Sequence, residues 1–360
     1  MCYILPSYDT AAGSHFFHLY ELLERAARDL DILLIIEKAQ VPPSGLPLRV
    51  YCQKFSFLPL RLAELIFIAG LSRLSGTRFF YTHYSFFGAL ASWLVVRIFG
   101  GTAYYWNCGM PWLYQRGFFE ETVFRFILRH LILVTGTAGL AAEYLKHYAL
   151  RADRMRIMPN WITTERFENM AERKIMRQTL GIADSRMVLF VHRLSRRKGA
   201  HYIPPVARAV TEKLRNVIFL IVGIGPESEN LKSEIRNGGL EGSVRFAGEI
   251  PHRDIPAYFA AADVLFMPSE EEGFPHVLLE AMASGVPYTA GDVGGVRDIT
   301  PPELQEYIVP SGDVEAYTKN IINLLTMSDD ARRRLFEAER IWVKQYDVSA
   351  AEPKFIALFS

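Results

Sequence analysis

The sequence has few of the residues and patterns that mark several common protein classes. Cysteine occurs only three times in 360 residues, at Cys2, Cys52 and Cys108, with neither a metal-ligand spacing nor the even number of a disulfide framework. We therefore expect a reducing compartment, the cytoplasm. The formal net charge is only +1, and we expect no nucleic-acid partner.

Long apolar segments are scarce as well. The N-terminal segment MCYILPSYDTAAG has no basic region followed by a long apolar one, so we expect no signal peptide. The uncharged run at 79–96 is about long enough to span a bilayer, but Thr, His, Ser and Tyr residues interrupt it. We interpret this run as a strand, a turn and a buried helix.

Several catalytic signatures are missing. The sequence has no Walker or GxSxG pattern and no His/Cys/Asp cluster with metal-ligand spacing, so we expect no metal site. The segment VGIGP at 222–226 lacks the third glycine of a dinucleotide-binding fingerprint, which disfavours a dehydrogenase.

What the sequence does have is a regular alternation of short apolar runs and amphipathic stretches. This alternation predicts parallel sheets covered by helices on both faces, and a length of 360 residues favours two domains. We interpret 156–167 as a linker between two Rossmann-like, doubly wound domains. The predicted strands lie at 31–37, 77–83, 102–107, 131–136, 187–193, 217–223, 244–248, 263–268 and 286–290, and the predicted helices of the first half at 15–28, 86–99, 118–130 and 138–149.

The charge is unevenly distributed along the chain. Residues 51–160 carry twelve Lys and Arg against five Asp and Glu, a net of +7, which leaves −6 for the remainder. The same stretch is rich in Phe, Tyr and Trp. A basic, aromatic and apolar surface is typical of contact with anionic lipid headgroups, although snorkelling arginines over a helical core also explain this composition.

An acidic loop follows the predicted strand DVLFMP. In SEEEGFPHVLLEAMASG, Pro275 suits the first turn of a helix, and the free backbone N–H groups from Phe274 to Val277 form an anion site. Glu272 precedes that site, and Glu280 lies about a turn and a half along the helix. These carboxylates suit hydrogen bonds from a polyhydroxylated group and from a ribose diol; a helix cap and a solvated glutamate are the alternative.

A basic loop follows the predicted strand MVLFVHR. In VHRLSRRKGAHYI, Arg193, Lys198 and two further arginines precede a glycine and a helix. Arginine supplies a planar fork and lysine a point charge, which together suit a diphosphate, although a solvated basic loop is the alternative. Because both loops follow strands of the same domain, they favour one shared ligand site.

Three further positions are candidates from the residues alone. Gly13 lies in a small-residue loop before a helix and permits close approach of the backbone to a ligand. His83 and His192 end predicted strands, where a site could use them, although a structural role is the simpler interpretation for a single histidine.

Taken together, these segments resemble a known family. PSEEEGFPHVLLEAMASGVPYTAGDVGG resembles the signature of the large retaining glycosyltransferase family numbered four, which has the GT-B fold, and RLSRRKG resembles its phosphate loop. VGIGP, VRFAGEIPHRDIPAYFAAADVLFMPS and RIMPNWI occur in the family's order. The resemblance covers about 156–345, whereas the N-terminal half matches mainly by layout.

The resemblance implies two Rossmann-like domains that face each other across a cleft. A nucleotide-diphosphate sugar would bind the C-terminal domain, 159–342, and an acceptor the N-terminal domain, 1–158, on which a final helix at about 343–360 would pack. Arg193 and Lys198 match the family's diphosphate-binding pair, and Glu272 and Glu280 match its E-x7-E motif. The implied catalytic residues are Glu272, Arg193 and Lys198, and the implied donor contacts are Gly13, Arg193, Lys198, Gly273, Phe274, Pro275, Val277 and Glu280.

The sequence departs from the family pattern at two places that bear on the chemistry. The glycine that usually precedes the phosphate-loop arginine is His192 here. Many members carry His-Gly after the strand that matches TAYYW, whereas this chain has Asn107 and Cys108. His83 or Asn107 could take the role of the missing histidine.

We therefore expect a retaining, metal-independent hexosyltransferase. Its co-substrate would be a UDP- or GDP-linked sugar, with no bound cofactor, and its acceptor a glycan or a lipid-linked molecule. We expect it in the cytoplasm, in peripheral contact with anionic lipid at the inner face of the cell membrane. A sugar-nucleotide epimerase and a non-catalytic GT-B-like module that binds nucleotide or membrane remain open alternatives.

Overall fold

The computed structural model describes residues 1–8, 17–39, 41, 43, 45–168, 172–182 and 184–359. The chain divides into two compact units. The first comprises Met1–Asn160 with Ser349–Ser360, and the second comprises Trp161–Val348. The predicted domain boundary, after residue 158, and the predicted return at about 343 lie within a few residues of these divisions.

The first unit is built on a parallel sheet of seven strands in the order β3-β2-β1-β4-β5-β6-β7. Its central strands are short apolar runs, buried because helices cover both faces of a parallel sheet. The strands are β1 (Cys2–Leu5), β2 (Leu33–Ile36), β3 (Arg49–Cys52), β4 (Phe79–His83), β5 (Thr102–Trp106), β6 (Ile132–Thr135) and β7 (Met155–Ile157).

Five helices connect these strands, and a sixth returns from the C-terminus. The run at 79–96 forms β4 and then α3, as predicted. Ser85 caps α3 by accepting a hydrogen bond from the backbone N–H of Gly88 at 2.8 Å. The helices are α1 (Phe17–Ala26), α2 (Leu58–Leu74), α3 (Phe86–Phe99), α4 (Phe118–His130), α5 (Ala138–Tyr148) and α14 (Val348–Ala357).

The C-terminal helix packs on the first unit through aromatic side chains. Phe355 lies 5.5 Å from Tyr81 between ring centroids, and Phe359 lies 5.5 Å from Tyr104, both in edge-on arrangements. The hydroxyl of Tyr104 also donates to the carbonyl of Leu358 at 2.6 Å. These contacts join the last residues of the chain to strands formed by its first third.

The second unit has a parallel sheet of six strands in the order β10-β9-β8-β11-β12-β13. Its strands are β8 (Arg186–Val191), β9 (Val217–Val222), β10 (Val244–Gly248), β11 (Val264–Met267), β12 (Tyr288–Gly291) and β13 (Ile308–Val309). Its helices are α6 (Glu172–Thr179), α7 (Ile203–Lys213), α8 (Ser228–Asn237), α9 (Ile255–Ala261), α10 (His276–Ser284), α11 (Val296–Ile299), α12 (Val314–Thr326) and α13 (Asp329–Val343).

Both sheets change their direction of growth at one pair of neighbouring strands. The reversal lies between β1 and β4 in the first unit, and between β8 and β11 in the second. This is the doubly wound arrangement that the sequence predicts.

The linker predicted at 156–167 is wrong at its beginning. Arg156 and Ile157 belong to β7, which pairs in parallel with β6 at the edge of the sheet. Both residues are exposed, and an edge strand of three residues lacks the apolar run that marks a central strand.

Candidate nucleotide-diphosphate site

The two loops singled out in the sequence lie side by side in the second unit. The basic loop follows β8 and the acidic loop follows β11. These strands are neighbours, with Val188 opposite Val264 and Leu189 opposite Leu265. They are also the pair at which the sheet reverses its direction of growth. Ligands of doubly wound sheets bind at the carboxyl ends of the strands at this point.

Glycines allow the backbones of these loops to approach each other. Gly199 ends the turn of the basic loop with φ +72°, and a Cβ there would lie 2.0 Å from the carbonyl oxygen of Pro268 at the start of the acidic loop. Gly223, the first glycine of VGIGP, has φ +126°, and its Cβ would lie 2.1 Å from the carbonyl oxygen of His192. Neither position accepts a side chain without movement of the backbone, so these glycines hold the site together by close packing.

Successive acids of the acidic loop interact with groups of the basic loop and of the turn that follows it. Glu270 accepts a hydrogen bond from the hydroxyl of Tyr202 at 2.9 Å. The next acid, Glu271, pairs with Arg197 at 3.2 Å. The backbone supports this alignment, because the N–H of Glu270 donates to the carbonyl of Arg197 at 2.9 Å.

The third acid, Glu272, is the most deeply engaged. Its Oε1 lies 2.5 Å from Nζ of Lys198 and accepts a hydrogen bond from the hydroxyl of Ser269 at 2.8 Å. Nε2 of His192 lies 3.1 Å from the same oxygen. Burial opposes ionisation of Glu272, but the attraction of Lys198 outweighs it and holds the pKa of the carboxyl well below its ordinary value. Glu272 is therefore a carboxylate at neutral pH.

His192 lies among the charged groups of this site. Burial and repulsion by Lys198 lower the pKa of His192, against the attraction of Glu272 and Glu280. The imidazole is therefore neutral near pH 7, and Lys198 is the cation that balances Glu272. The sequence indicated His192 as a candidate site residue because it ends a strand and replaces the glycine that the family usually has at this position.

Glu280 lies on α10 and is also buried, with 8% of its surface exposed. Its Oε1 lies 3.2 Å from Nε2 of His252. The guanidinium of Arg166 lies 3.4 Å from the other ring nitrogen of His252 and donates to its backbone carbonyl. The sequence analysis did not identify His252 or Arg166, since a histidine in a connecting segment carries no spacing signal.

The start of α10 is flanked by buried apolar side chains. Pro275 precedes the first helical residue, His276, and the side chains of Phe274 and Val277 are buried. The Phe274 ring packs against Tyr346 with centroids 5.7 Å apart, and the carbonyl of Gly273 accepts a hydrogen bond from Gly295. A ligand at this position would meet the N–H groups of the first helical turn.

Two of the predicted donor contacts, Arg193 and Gly13, are not among the residues that the structure brings together at this site. Arg193 is exposed and forms no ion pair within the ranges that the structure describes, so it is available for a ligand but is not joined to Lys198 or Glu272. Gly13 lies outside the described residues. Within those residues, no group of three or more His, Cys, Asp or Glu side chains is arranged to hold a metal ion.

The candidates to replace the family's missing histidine are engaged inside the first unit. His83 is 2% exposed and stacks on Trp106 with centroids 4.0 Å apart, and burial lowers its pKa to about 3. The side-chain carbonyl of Asn107 accepts hydrogen bonds from the N–H of Gly109 and the hydroxyl of Tyr144, both at 2.9 Å. Both side chains therefore have structural partners.

Comparison with known proteins shows that most of the second unit is similar to a family. Residues 172–342 match the family described as glycosyl transferases group 1. The chain is 33% identical over 135 residues to a 2-deoxystreptamine N-acetyl-D-glucosaminyltransferase of Streptomyces fradiae. The aligned region is 38% of this chain and 32% of that protein. It is 32% identical over 184 residues to a GDP-mannose-dependent alpha-(1-6)-phosphatidylinositol monomannoside mannosyltransferase of Mycolicibacterium smegmatis. That aligned region is 49% of this chain and 47% of that protein. The chain thus matches less than half the length of these relatives.

Solved structures extend the likeness to both units. HepE from Anabaena, solved in complex with UDP, superposes with a TM-score of 0.80 at 19% identity and covers 99% of each chain. At this identity the likeness shows the fold, which is the GT-B fold expected from the sequence. Residues 172–342, just under half of the chain, are thus similar to the glycosyl transferases group 1 family.

Proposed function

We propose that the protein is a retaining hexosyltransferase that moves a sugar from a nucleotide-diphosphate donor to a hydroxyl acceptor. The observation that carries this proposal is the arrangement of Lys198 and Glu272 at the point where the sheet reverses. A partly buried cation and a buried carboxylate beside a helix N-terminus supply complementary partners for a phosphate group and for sugar hydroxyls.

The class of donor is supported by the relatives. The mannosyltransferase of Mycolicibacterium smegmatis is GDP-mannose-dependent, and HepE was solved with UDP. Both nucleotides carry a diphosphate, which is the group that the basic loop suits. The proposal is therefore a UDP- or GDP-linked sugar as co-substrate, with no further cofactor.

Positive charge on the second unit would stabilise the departing diphosphate. Lys198, the exposed Arg193 and the N–H groups of the first turn of α10 all favour negative charge. In this proposal these groups do the work of a metal ion. Glu272 would hold the hydroxyls of the transferred sugar, and Glu280, positioned by His252, would hold the ribose diol.

The ion pair seen in the protein must rearrange when a donor binds. The ammonium group of Lys198 is directed at Glu272, and a phosphate oxygen would share or replace this partner. The carboxylate is then released to accept hydrogen bonds from the sugar. Binding of the diphosphate thus prepares Glu272 for its role.

Transfer with retention requires that the acceptor approach from the face that the leaving group vacates. The acceptor oxygen forms the new bond to the anomeric carbon as the bond to the diphosphate breaks, and a departing phosphate oxygen takes the hydroxyl proton. We assign the acceptor to the first unit, and we favour a lipid-linked acceptor or a glycan precursor because this unit is basic and aromatic. The site of action would be the cytoplasmic face of a membrane, in peripheral contact with anionic lipid.

Donor turnover tests the proposal. Purified protein is incubated with UDP- and GDP-linked hexoses, with and without extracted lipid acceptors, and the product is analysed by NMR. We expect release of the nucleoside diphosphate that depends on acceptor, with the anomeric configuration of the donor preserved. An isomerised donor sugar formed without acceptor would establish the epimerase instead, and binding of nucleotide without turnover would establish the non-catalytic module.

A further inference from the structure

Helix α2 of the first unit is apolar on its outer side as well as its inner side. Its inner side is buried through residues such as Leu65 and Ala69. Its outer side exposes apolar residues that are spaced three and four apart, which places them along one face of the helix. These residues, which we call the α2 stripe, are Leu60, Ala63, Phe67, Leu71 and Leu74.

The exposure of this stripe is large for apolar side chains. Phe67 is 62% exposed and Leu74 is 70% exposed. The stripe continues into the segment that precedes the helix, because every residue from Lys54 to Leu60 is exposed. Among them Phe57 is 66% exposed. A continuous exposed apolar surface of this kind marks an interaction site.

The charge around the stripe has one sign. Between Glu37 and Glu120 the only acidic residue is Glu64, and it faces inward. Its carboxylate accepts hydrogen bonds from the hydroxyl of Tyr51 at 2.7 Å and the N–H of Lys54 at 2.9 Å. No acid is therefore exposed along this segment of the chain.

Cations flank the stripe at both ends. The side chains of Lys54 and Arg78 are exposed, and neither forms an ion pair within the described ranges. Arg73 donates to the carbonyl of Gly100 at 2.7 Å and so ties the end of α2 to the end of α3. Near the end of α3, the side chain of Ile98 is 61% exposed and adds to the apolar surface.

We propose that the α2 stripe and residues 54–60 dock on the surface of an anionic lipid bilayer. A helix that lies in the plane of the membrane would place the stripe, which is about 21 Å long, between the headgroups, with Lys54 and Arg78 at the lipid phosphates. The exposed charges at the two ends of this surface are cations alone, which complements the negative charge of lipid phosphates. No helix of the described residues is long and apolar enough to cross a membrane. The inference rests on the membrane contact proposed above and gives that contact a surface.

Co-sedimentation of the full chain with vesicles tests this inference. The vesicles contain phosphatidylcholine alone or with phosphatidylglycerol, and the variants are Phe67→Asp and the pair Lys54→Glu with Arg78→Glu. The matched control is Ile341→Asp, on α13 of the second unit, where the side chain is 71% exposed. We expect binding only to the anionic vesicles, a loss of at least tenfold for Phe67→Asp, a loss of at least tenfold for the paired charge reversal, and no change for Ile341→Asp.

Two readouts separate this surface from the donor site and from self-association. Phe67→Asp should bind nucleoside diphosphate as the wild type does, which shows that the variant is folded and that its defect lies at the membrane. Equal vesicle binding by Phe67→Asp and wild type would overturn the inference. It would also be overturned if the wild type were a dimer in solution that Phe67→Asp converts to a monomer, since the stripe would then be an interface between two copies.

Discussion

Nζ of Lys198 and Oε1 of Glu272 lie 2.5 Å apart in a buried site between two neighbouring strand ends. The two side chains that the resemblance assigns to the diphosphate and to the sugar of one donor are thus each other's partner in the protein without ligand. This pairing removes the cost of a buried, uncompensated charge. It also makes the pair sensitive to pH, to substitution and to an added diphosphate.

Glu272→Gln should lower the free energy of unfolding at pH 7 by about 2 kcal/mol, because Lys198, whose side chain is only 14% exposed, is left without a counter-ion. The pKa of Glu272 is lower in the folded chain than in the unfolded chain, so its stabilising effect is present above the ordinary pKa of 4.5 and is lost as the pH falls. Urea unfolding of both proteins at a series of pH values measures the difference. A difference that stays constant from pH 7 to pH 4 would contradict the assignment.

Gly199→Ala should destabilise the protein more than Gly239→Ala. Both glycines have positive φ, but a Cβ at position 199 would collide with the carbonyl of Pro268, whereas a Cβ at position 239 meets nothing within 4 Å. The strain of the backbone conformation, about 1 kcal/mol, is common to both variants. Thermal unfolding should therefore show a larger loss for Gly199→Ala, together with a loss of diphosphate binding. Equal losses would show that the close approach of the two loops is not needed.

The sequence was sufficient to predict the fold class and most of the elements. Helix α3 occupies its predicted range, with Ser85 capping its start and Gly100 following its end, and α4 occupies its predicted range as an amphipathic helix that begins after Gly117. The sequence did not indicate β1, β3, β7 or β13, and of these Met155–Ile157 and Ile308–Val309 have only three and two residues. Elements this short have no periodicity to read.

The sequence predicted that the two loops share one site, but it did not predict the direct contact between Lys198 and Glu272. Spacing along the chain placed Glu272 and Lys198 at strand ends, but their mutual contact depends on the sheet order, which joins β8 to β11 across 72 residues. His252 reaches Glu280 in the same way. Side chains brought together by long-range strand order leave no local pattern in the sequence.

His252→Ala should weaken binding of the donor nucleotide by three- to tenfold, because Glu280 loses the group that orients it. His252→Asn should retain part of the affinity by keeping a hydrogen-bond donor. The control is Arg253→Ala, since Arg253 is the adjacent residue and its side chain is 83% exposed. Steady-state kinetics should show a rise in KM with little change in kcat, because the effect is on ribose binding. A fall in kcat alone would contradict this role.

Glu339→Gln should raise the stability of the protein. Glu339 is fully buried on α13, and neither of its carboxyl oxygens has a hydrogen-bond partner among the described residues. Burial raises the pKa of Glu339 well above its ordinary value, against the attraction of Arg332. The pKa is higher in the folded chain, so stability is lost as the pH rises above 4.5. The gain should exceed about 1 kcal/mol at pH 7.5 and shrink toward pH 4.5. Glu337→Gln, on the exposed side of the same helix, should change nothing, and a gain independent of pH would contradict the buried charge.

Calorimetric titration of UDP and GDP into the wild type, Lys198→Ala and Lys232→Ala measures whether Lys198 binds the diphosphate of a nucleotide. Lys232 is the matched control because it pairs with Glu229 at 2.7 Å on the exposed surface of α8. We expect one nucleoside diphosphate to bind the wild type and Lys232→Ala with equal affinity, and to bind Lys198→Ala at least tenfold more weakly. Equal binding to Lys198→Ala, or no binding of either nucleotide to the wild type, would contradict this expectation.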